Sequence, residues 1–195
     1  MLDDLSRAIH LHRAVLFVGA GVSMDLGLPS WTGLTAKMAS DLGYEPDILI
    51  GPGASYLTIA EFYKLEKGKI GALRSWMDRE WNVEDEKIRQ SKVHNQIVDL
   101  GFKFIYTTNF DRNIERAFEL RSIKYAKIVN AKDIALADSD LTHIVKFHGD
   151  FDDDNSIVLT ESDYFERLNF ETPIDVKIRY SWKNDFVCRI QLDRY

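Results

Sequence analysis

Residues 14–31 read AVLFVGAGVSMDLGLPSW, and the fold turns on the first six of them. Ala14 to Gly19 is too short and too continuously apolar for an amphipathic helix. It reads as a strand buried on both faces, as in a parallel sheet. Glycines placed directly after such a strand let a backbone approach an anion. Gly19 and Gly21 allow a tight turn whose amide N–H groups would face a phosphate. The dinucleotide fingerprint wants a third glycine where this chain has Met24, and no acidic residue clearly takes the ribose position about 20 residues on. Taken alone, the glycine pair fits a phosphate loop and a plain positive-φ turn equally well.

The same reading extends in both directions. A first helix is predicted from Asp3 to His10, with Leu2, Leu5 and Ile9 at helical spacing. Thr32 to Leu42 returns to that spacing, and Gly43 is placed to cap it. The loop EPDILIGPGAS (45–55) leads into a largely helical middle from Tyr56 to Leu100. Its aromatic residues Tyr56, Phe62, Tyr63, Trp76 and Trp81 suit core packing first and a cavity wall second. KFIYTT (103–108) is a second strand, followed by a helix from Asp111 to about Leu120. YAKIV (125–129) and HIVKFHG (143–149) read as further strands, and SIVLT (156–160) as another that leads into the helix ESDYFERL (161–168). Strands alternating with helices predict an α/β fold of Rossmann type. Its sheet is mainly parallel, with a helical insertion (about 44–100) between the first and second strands, in one domain over 1–195. Residues 174–195 follow no pattern of that kind.

Composition sets the outer bounds. The 195 residues are 45% hydrophobic and 29% charged, as in ordinary globular chains, and suffice for a sizeable core. A net charge of −6 argues against a bare nucleic-acid or anionic-membrane surface. The single cysteine, Cys188, excludes a disulfide within the chain and a four-cysteine zinc module, and no metal site is expected. No signal-like segment opens the sequence and no apolar run approaches bilayer length, so a cytoplasmic address is expected.

Ligands of open α/β sheets bind beyond the carboxyl ends of the strands. Three strand ends here carry more than turn chemistry: Gly19–Ser23, Thr107–Asp111 and His148–Asp150. Parallel strands would align all three along one edge. Locally, Asp111 is placed to cap the next helix and Asn109 to form an Asx turn. An Asn after a buried strand can also offer its amide to a ribose hydroxyl or a water. His148 reads either as a structural residue or as an acid–base group, with Gly149 letting a substrate come close. DFDDDNSIVLTE (150–161) matches the ligand positions of a calcium loop, but Asn155 replaces the required glycine and a strand precedes it. It reads better as an acidic turn joining two strands.

Taken together and in order, these motifs resemble the sirtuin family, specifically its SIR2-like branch of bacterial anti-phage systems. The resemblance spans roughly Ala14 to Leu168. Gly19-Ala20-Gly21-Val22-Ser23 is similar to the family's NAD⁺ loop, and Thr107-Thr108-Asn109-Phe110-Asp111 to its nicotinamide-ribose segment. His148-Gly149 matches its catalytic pair, Gly27-Leu28-Pro29-Ser30-Trp31 resembles the branch's substitute for Gly-Ile-Pro-Asp-Phe, and IVLTESDY is likewise similar. The resemblance implies NAD⁺ as substrate, with Asn109 and His148 catalytic. Gly19, Ala20, Gly21, Ser23, Pro29, Trp31, Thr107 and Asp111 would contact the dinucleotide. It implies an NAD⁺ glycohydrolase releasing nicotinamide and ADP-ribose as a defence effector. Such an effector would be a homo-oligomer held off until an ATPase, an Argonaute-like protein or a phage component activates it. Two departures stand out. The zinc module of the protein deacylases is missing, which disfavours deacylation, and no glycine follows Gly149, so the family's late Gly-x-Ser turn is absent. A nucleotide-binding sensor without turnover is the reading those departures leave beside hydrolysis.

Overall fold

Ala14–Val18 forms strand β1, and its exposure of 0–1% at Ala14, Val15, Leu16 and Val18 bears out burial on both faces. It belongs to a computed structural model that describes residues 2–46, 55–168, 173–176 and 186–190. Helix α1 (Leu2–His10) precedes it, and α2 (Ala20–Met24) and α3 (Trp31–Asp41) follow. The helical middle resolves into α4 (Tyr56–Lys67), α5 (Gly71–Glu80), α6 (Asp85–Gln90) and α7 (Lys92–Asp99). Then come β2 (Phe104–Thr107), α8 (Asn113–Glu119), β3 (Tyr125–Ile128), α9 (Ala131–Leu136), β4 (Thr142–Lys146), α10 (Glu161–Leu168) and β5 (Phe186–Ile190). The five strands pair in the order β3-β4-β2-β1-β5, all parallel, with Leu16 opposite Ile105 and Ile105 opposite Ile144.

Side-chain alternation splits the core between the two faces of this sheet. Leu16, Val18, Ile105 and Ile144 pack with Ile97, Phe102 and Phe118 on one face, while Val15, Tyr106, Val145 and Ile128 pack with Ile174 on the other. A third apolar cluster matters more for function. Leu34 and Met38 of α3, with Tyr63, Leu73 and Met77 from the inserted helices, meet Phe110, Phe151 and Leu159 from the segments that follow β2 and β4. The insertion is thereby seated over the carboxyl ends of the strands. Gly43 caps α3 as expected, at φ +80°, with its N–H and that of Tyr44 donating to the carbonyls of Ser40 and Ala39.

Several local readings are corrected. The glycine pair makes no positive-φ turn: Gly19 is extended (φ −111°) and α2 begins at Ala20. The helix after β2 starts at Asn113, because the Asp111 carboxylate accepts the Asn113 N–H (3.0 Å) and holds a turn first. SIVLT is not a strand; Ser156 ends a short 3₁₀ turn and Val158 donates to the His148 carbonyl (2.9 Å). Its neighbour explains why. Gly149 sits at φ +91°, and a Cβ there would lie 2.1 Å from the Ser156 carbonyl oxygen, so this glycine admits backbone, not substrate. The acidic turn is held by cations: Lys127 pairs with Asp150 and Asp152, and Arg74 with Asp154. Strand β5, in the C-terminal stretch that carried no pattern, pairs with β1 throughout its length. Most of the loop 45–55 lies outside the described residues.

Candidate functional site

Three consecutive strand ends converge. α2 leaves β1, the turn 108–112 leaves β2, and His148 stands two residues beyond β4. With Leu28–Trp31 and Leu34 on one side and Trp81 from the insertion opposite, they enclose a cleft. Its lining includes Ala20, Ser23, Pro29, Trp31, Asn109, Asp111, His148 and Tyr164.

Asn109 is the pivot. It is 6% exposed, and its backbone N–H is taken by the Thr107 hydroxyl (3.0 Å). Its amide nitrogen donates to the Gly19 carbonyl (3.1 Å) and to Ser23 Oγ (2.8 Å). A backbone carbonyl can only accept, so the nitrogen must face Gly19 and the oxygen must face away. Ser23 passes the chain on, donating to Asp111 Oδ2 at 2.6 Å, and Asp111 Oδ1 receives the Asn113 N–H. Both amide hydrogens are therefore spent on protein, and Asn109 Oδ1 is buried with no hydrogen-bond partner. The sequence offers the Asn109 amide to a ribose hydroxyl or a water, and of that amide the geometry leaves the oxygen unengaged by protein. A buried unsatisfied acceptor costs roughly 1–3 kcal/mol, which makes it a natural place for a hydroxyl or water hydrogen.

Beneath this turn lies a buried cation. Lys146, the last residue of β4, is fully buried and donates to the carbonyls of Asp111 (2.5 Å) and Phe110 (3.3 Å). Its ammonium also lies 3.1 Å from Glu115 and 3.4 Å from Asp150, both fully buried. Burial holds the Glu115 carboxyl above its usual range, against the pull of Lys146. The adjacent strand thus grips the Asn109 turn from below.

His148 is 9% exposed and packs edge-on against Tyr164, ring centres 4.9 Å apart, with Nδ1 3.3 Å from the Tyr164 hydroxyl. Burial first, and the Arg167 guanidinium second, push its pKa down to about 4. At neutral pH the ring is uncharged, the form that can accept a proton. An imidazole in water would instead be partly charged there, with its ordinary value near 6.5.

Seven of the ten residues picked from sequence line the one cleft: Ala20, Ser23, Pro29, Trp31, Asn109, Asp111 and His148. The other three are not among its lining residues. Gly19 serves through its carbonyl, Thr107 through the hydroxyl that fixes Asn109, and Gly21 accepts the Asp25 N–H inside α2. Trp81 and Tyr164 are among the further lining residues that were not picked for it. Trp81 was legible only as one of several aromatics, and Tyr164 only within the IVLTESDY resemblance. Among the described residues no group of His, Cys, Asp and Glu is disposed to hold a metal, and no helix is long and apolar enough to cross a membrane.

A parallel sheet flanked by helices, with an Asn, an Asp and a neutral His converging at its strand ends, defines an α/β domain of Rossmann type. Residues 103–188 match the family described as SIR2-like domain. NAD(+) hydrolase ThsA of Enterococcus faecium is 30% identical over 167 residues, 84% of this chain and 33% of that protein. NAD(+) hydrolase ThsA of Bacillus cereus (strain MSX-D12) is 27% identical over 169 residues, again 84% and 33%. Defense-associated sirtuin 2 of Bacillus subtilis is 30% identical over 179 residues, 87% of this chain and 16% of that protein. Residues 103–188 thus carry a SIR2-like domain match, and most of the chain is similar to these relatives. The chain spans a third or less of their length.

Proposed function

We propose that this chain hydrolyses NAD⁺ to nicotinamide, ADP-ribose and a proton, with the reacting ribose in the cleft of Asn109 and His148. The observation that carries the reading is the buried Asn109 Oδ1, left without a protein partner at a cleft-lining residue whose amide nitrogen is spent on two donations to protein. Cleaving the nicotinamide–ribose bond develops positive charge at the anomeric carbon and expels a neutral molecule. The protein needs only to orient the bond and deliver water. Asn109 Oδ1 accepts a hydrogen from the attacking water or a ribose hydroxyl. The neutral His148 ring takes up the proton that water loses. Asp111 and Ser23 hold Asn109 in place, the backbone at Ala20 faces the diphosphate, and Pro29 and Trp31 close the side of the cleft. Relatives named NAD(+) hydrolase and defense-associated sirtuin support the reaction and its use in anti-phage defence. We extend the proposal to a cytoplasmic homo-oligomer whose turnover waits on an activating partner, since unchecked NAD⁺ loss would harm the cell that makes it.

The test is to incubate the purified protein with NAD⁺ and separate the products by chromatography. Nicotinamide and ADP-ribose in equal amounts are expected. NAD⁺ bound but recovered intact, with and without the proteins of neighbouring genes, would identify a sensor instead. Acyl-ADP-ribose from an acylated peptide would identify a deacylase.

A further inference from the structure

Tyr164 enters the cleft from a different part of the chain than any other residue of the site. It lies on α10, and the lining it shares with His148 brings the two rings into edge-on contact at 4.9 Å. Its hydroxyl is 3.3 Å from Nδ1 of His148. Phe147 flanks the imidazole at 5.4 Å, so the ring is held on two sides by aromatic residues.

α10 is itself held firmly. Asp163 accepts the N–H groups of Leu159 (3.1 Å) and Thr160 (2.9 Å) and pairs with Lys64 of α4 at 2.8 Å. Glu61 of α4 accepts the Ser162 N–H (2.9 Å), and Thr58 donates to Glu161 (3.1 Å). Tyr164 therefore stands on a helix tied at both its own N-terminus and the insertion.

A base that works through one imidazole nitrogen needs its proton kept on the other, which is set by the partner of that other nitrogen. We propose that Tyr164 is a positioning residue for His148: its phenol oxygen accepts the Nδ1–H, keeps the neutral ring in that tautomer, and leaves Nε2 as the proton-accepting atom. The assignment rests on the reading of His148 as the base of NAD⁺ cleavage. When Nε2 takes a proton from the attacking water, the imidazolium keeps its Nδ1–H bond to Tyr164, and no further proton moves. The phenol stays protonated throughout; burial holds its own pKa up at about 12.

The experiment uses Tyr164→Phe, which keeps the ring packing and removes the hydroxyl, with Phe165→Ser on the exposed side of α10 as a control for helix disturbance. Two readouts are taken on each protein: the ¹⁵N chemical shifts of His148, which distinguish the tautomers without any turnover, and kcat and KM for NAD⁺. In the wild type a single Nδ1–H tautomer is expected. In Tyr164→Phe we expect a mixture of tautomers, kcat reduced about tenfold or more, and KM within about twofold, the pattern of an interaction that serves only the chemical step. An Nε2–H tautomer in the wild type, or Tyr164→Phe with an unchanged spectrum and wild-type kcat, overturns the assignment. If the protein does not cleave NAD⁺ at all, the proposed function fails while the tautomer measurement still decides whether Tyr164 fixes the ring.

Discussion

Replacing Lys146 with Met removes one buried charge and keeps nearly the same volume. The ammonium it removes touches two carbonyls of the Asn109 turn and two carboxylates, Glu115 and Asp150, and all three charged groups are fully buried. Neither Glu115 side-chain oxygen nor Asp150 Oδ2 accepts a hydrogen bond, so Lys146 is the compensating cation for Glu115 and shares Asp150 with Lys127. Breaking a buried pair by removing one partner typically costs about 3–5 kcal/mol. That is a large share of the roughly 5–15 kcal/mol that separates folded from unfolded domains. With a urea slope of about 2 kcal/mol per molar, the midpoint should fall by roughly 2 M.

The pH dependence of that loss has a definite sign. Burial raises the Glu115 pKa and Lys146 opposes the rise. A carboxyl with a raised folded-state pKa binds its proton more tightly when folded, so its contribution to stability is lost as pH rises through that value. Without Lys146 the pKa climbs further. The deficit of Lys146→Met relative to wild type should therefore be largest at neutral pH and above, and smaller in acid. Adding Glu115→Gln should recover part of it. Urea unfolding of the three proteins at pH 5 and 8 checks this. A midpoint within about 0.3 M of wild type at pH 8, or a deficit that grows in acid, would refute the reasoning.

Gly149→Ala should destabilise the protein by at least about 2 kcal/mol, since the new Cβ must push the Ser156 backbone aside and also adopt a positive φ; thermal melting reads this, and a melting temperature equal to wild type would mean the close approach is relieved cheaply. With a neutral His148 ring as its base, the proposed NAD⁺ cleavage should be flat between pH 8 and 5 and fall only toward about 4; an inflection of kcat/KM near 6.5 that vanishes in His148→Ala would show an unperturbed ring. The same depressed pKa has a stability consequence. His148 contributes up to about 3 kcal/mol above pH 6.5, and that contribution is lost as pH falls from there to about 4; the acid limb of unfolding should shift to lower pH in His148→Phe.

What could be read from sequence, and what could not, follows from the range of the forces involved. β1, β2 and β4 were legible because strands buried on both faces are continuous apolar runs, as in AVLFV and HIVK. The convergence of Gly19–Ser23, Asn109–Asp111 and His148 followed from parallel order alone. β5 was hidden because its pairing with β1 joins residues about 170 positions apart, as Ala14 with Phe186, and FVCRI alternates too weakly to announce a strand. SIVLT was misread because its apolar side chains fill the cluster under the insertion, with Ile157 and Leu159 against Phe151, without a neighbouring strand to pair with. That the Asn109 oxygen, not its nitrogen, is left without a protein partner was beyond sequence altogether, since it depends on a carbonyl 90 positions away. So was the depressed His148 pKa, which comes from burial beside Tyr164 and Arg167.

Asn109→Ala tests the central claim most directly, because it removes a buried acceptor that no protein group satisfies at a residue lining the cleft. Melting temperature, NAD⁺ affinity by calorimetry and single-turnover nicotinamide release are measured on the same preparations, with any activating partner present in both. The account predicts a folded protein that binds NAD⁺ within about threefold of wild type and cleaves it at least about 10²-fold more slowly. A folded Asn109→Ala protein that releases nicotinamide at the wild-type rate would contradict it.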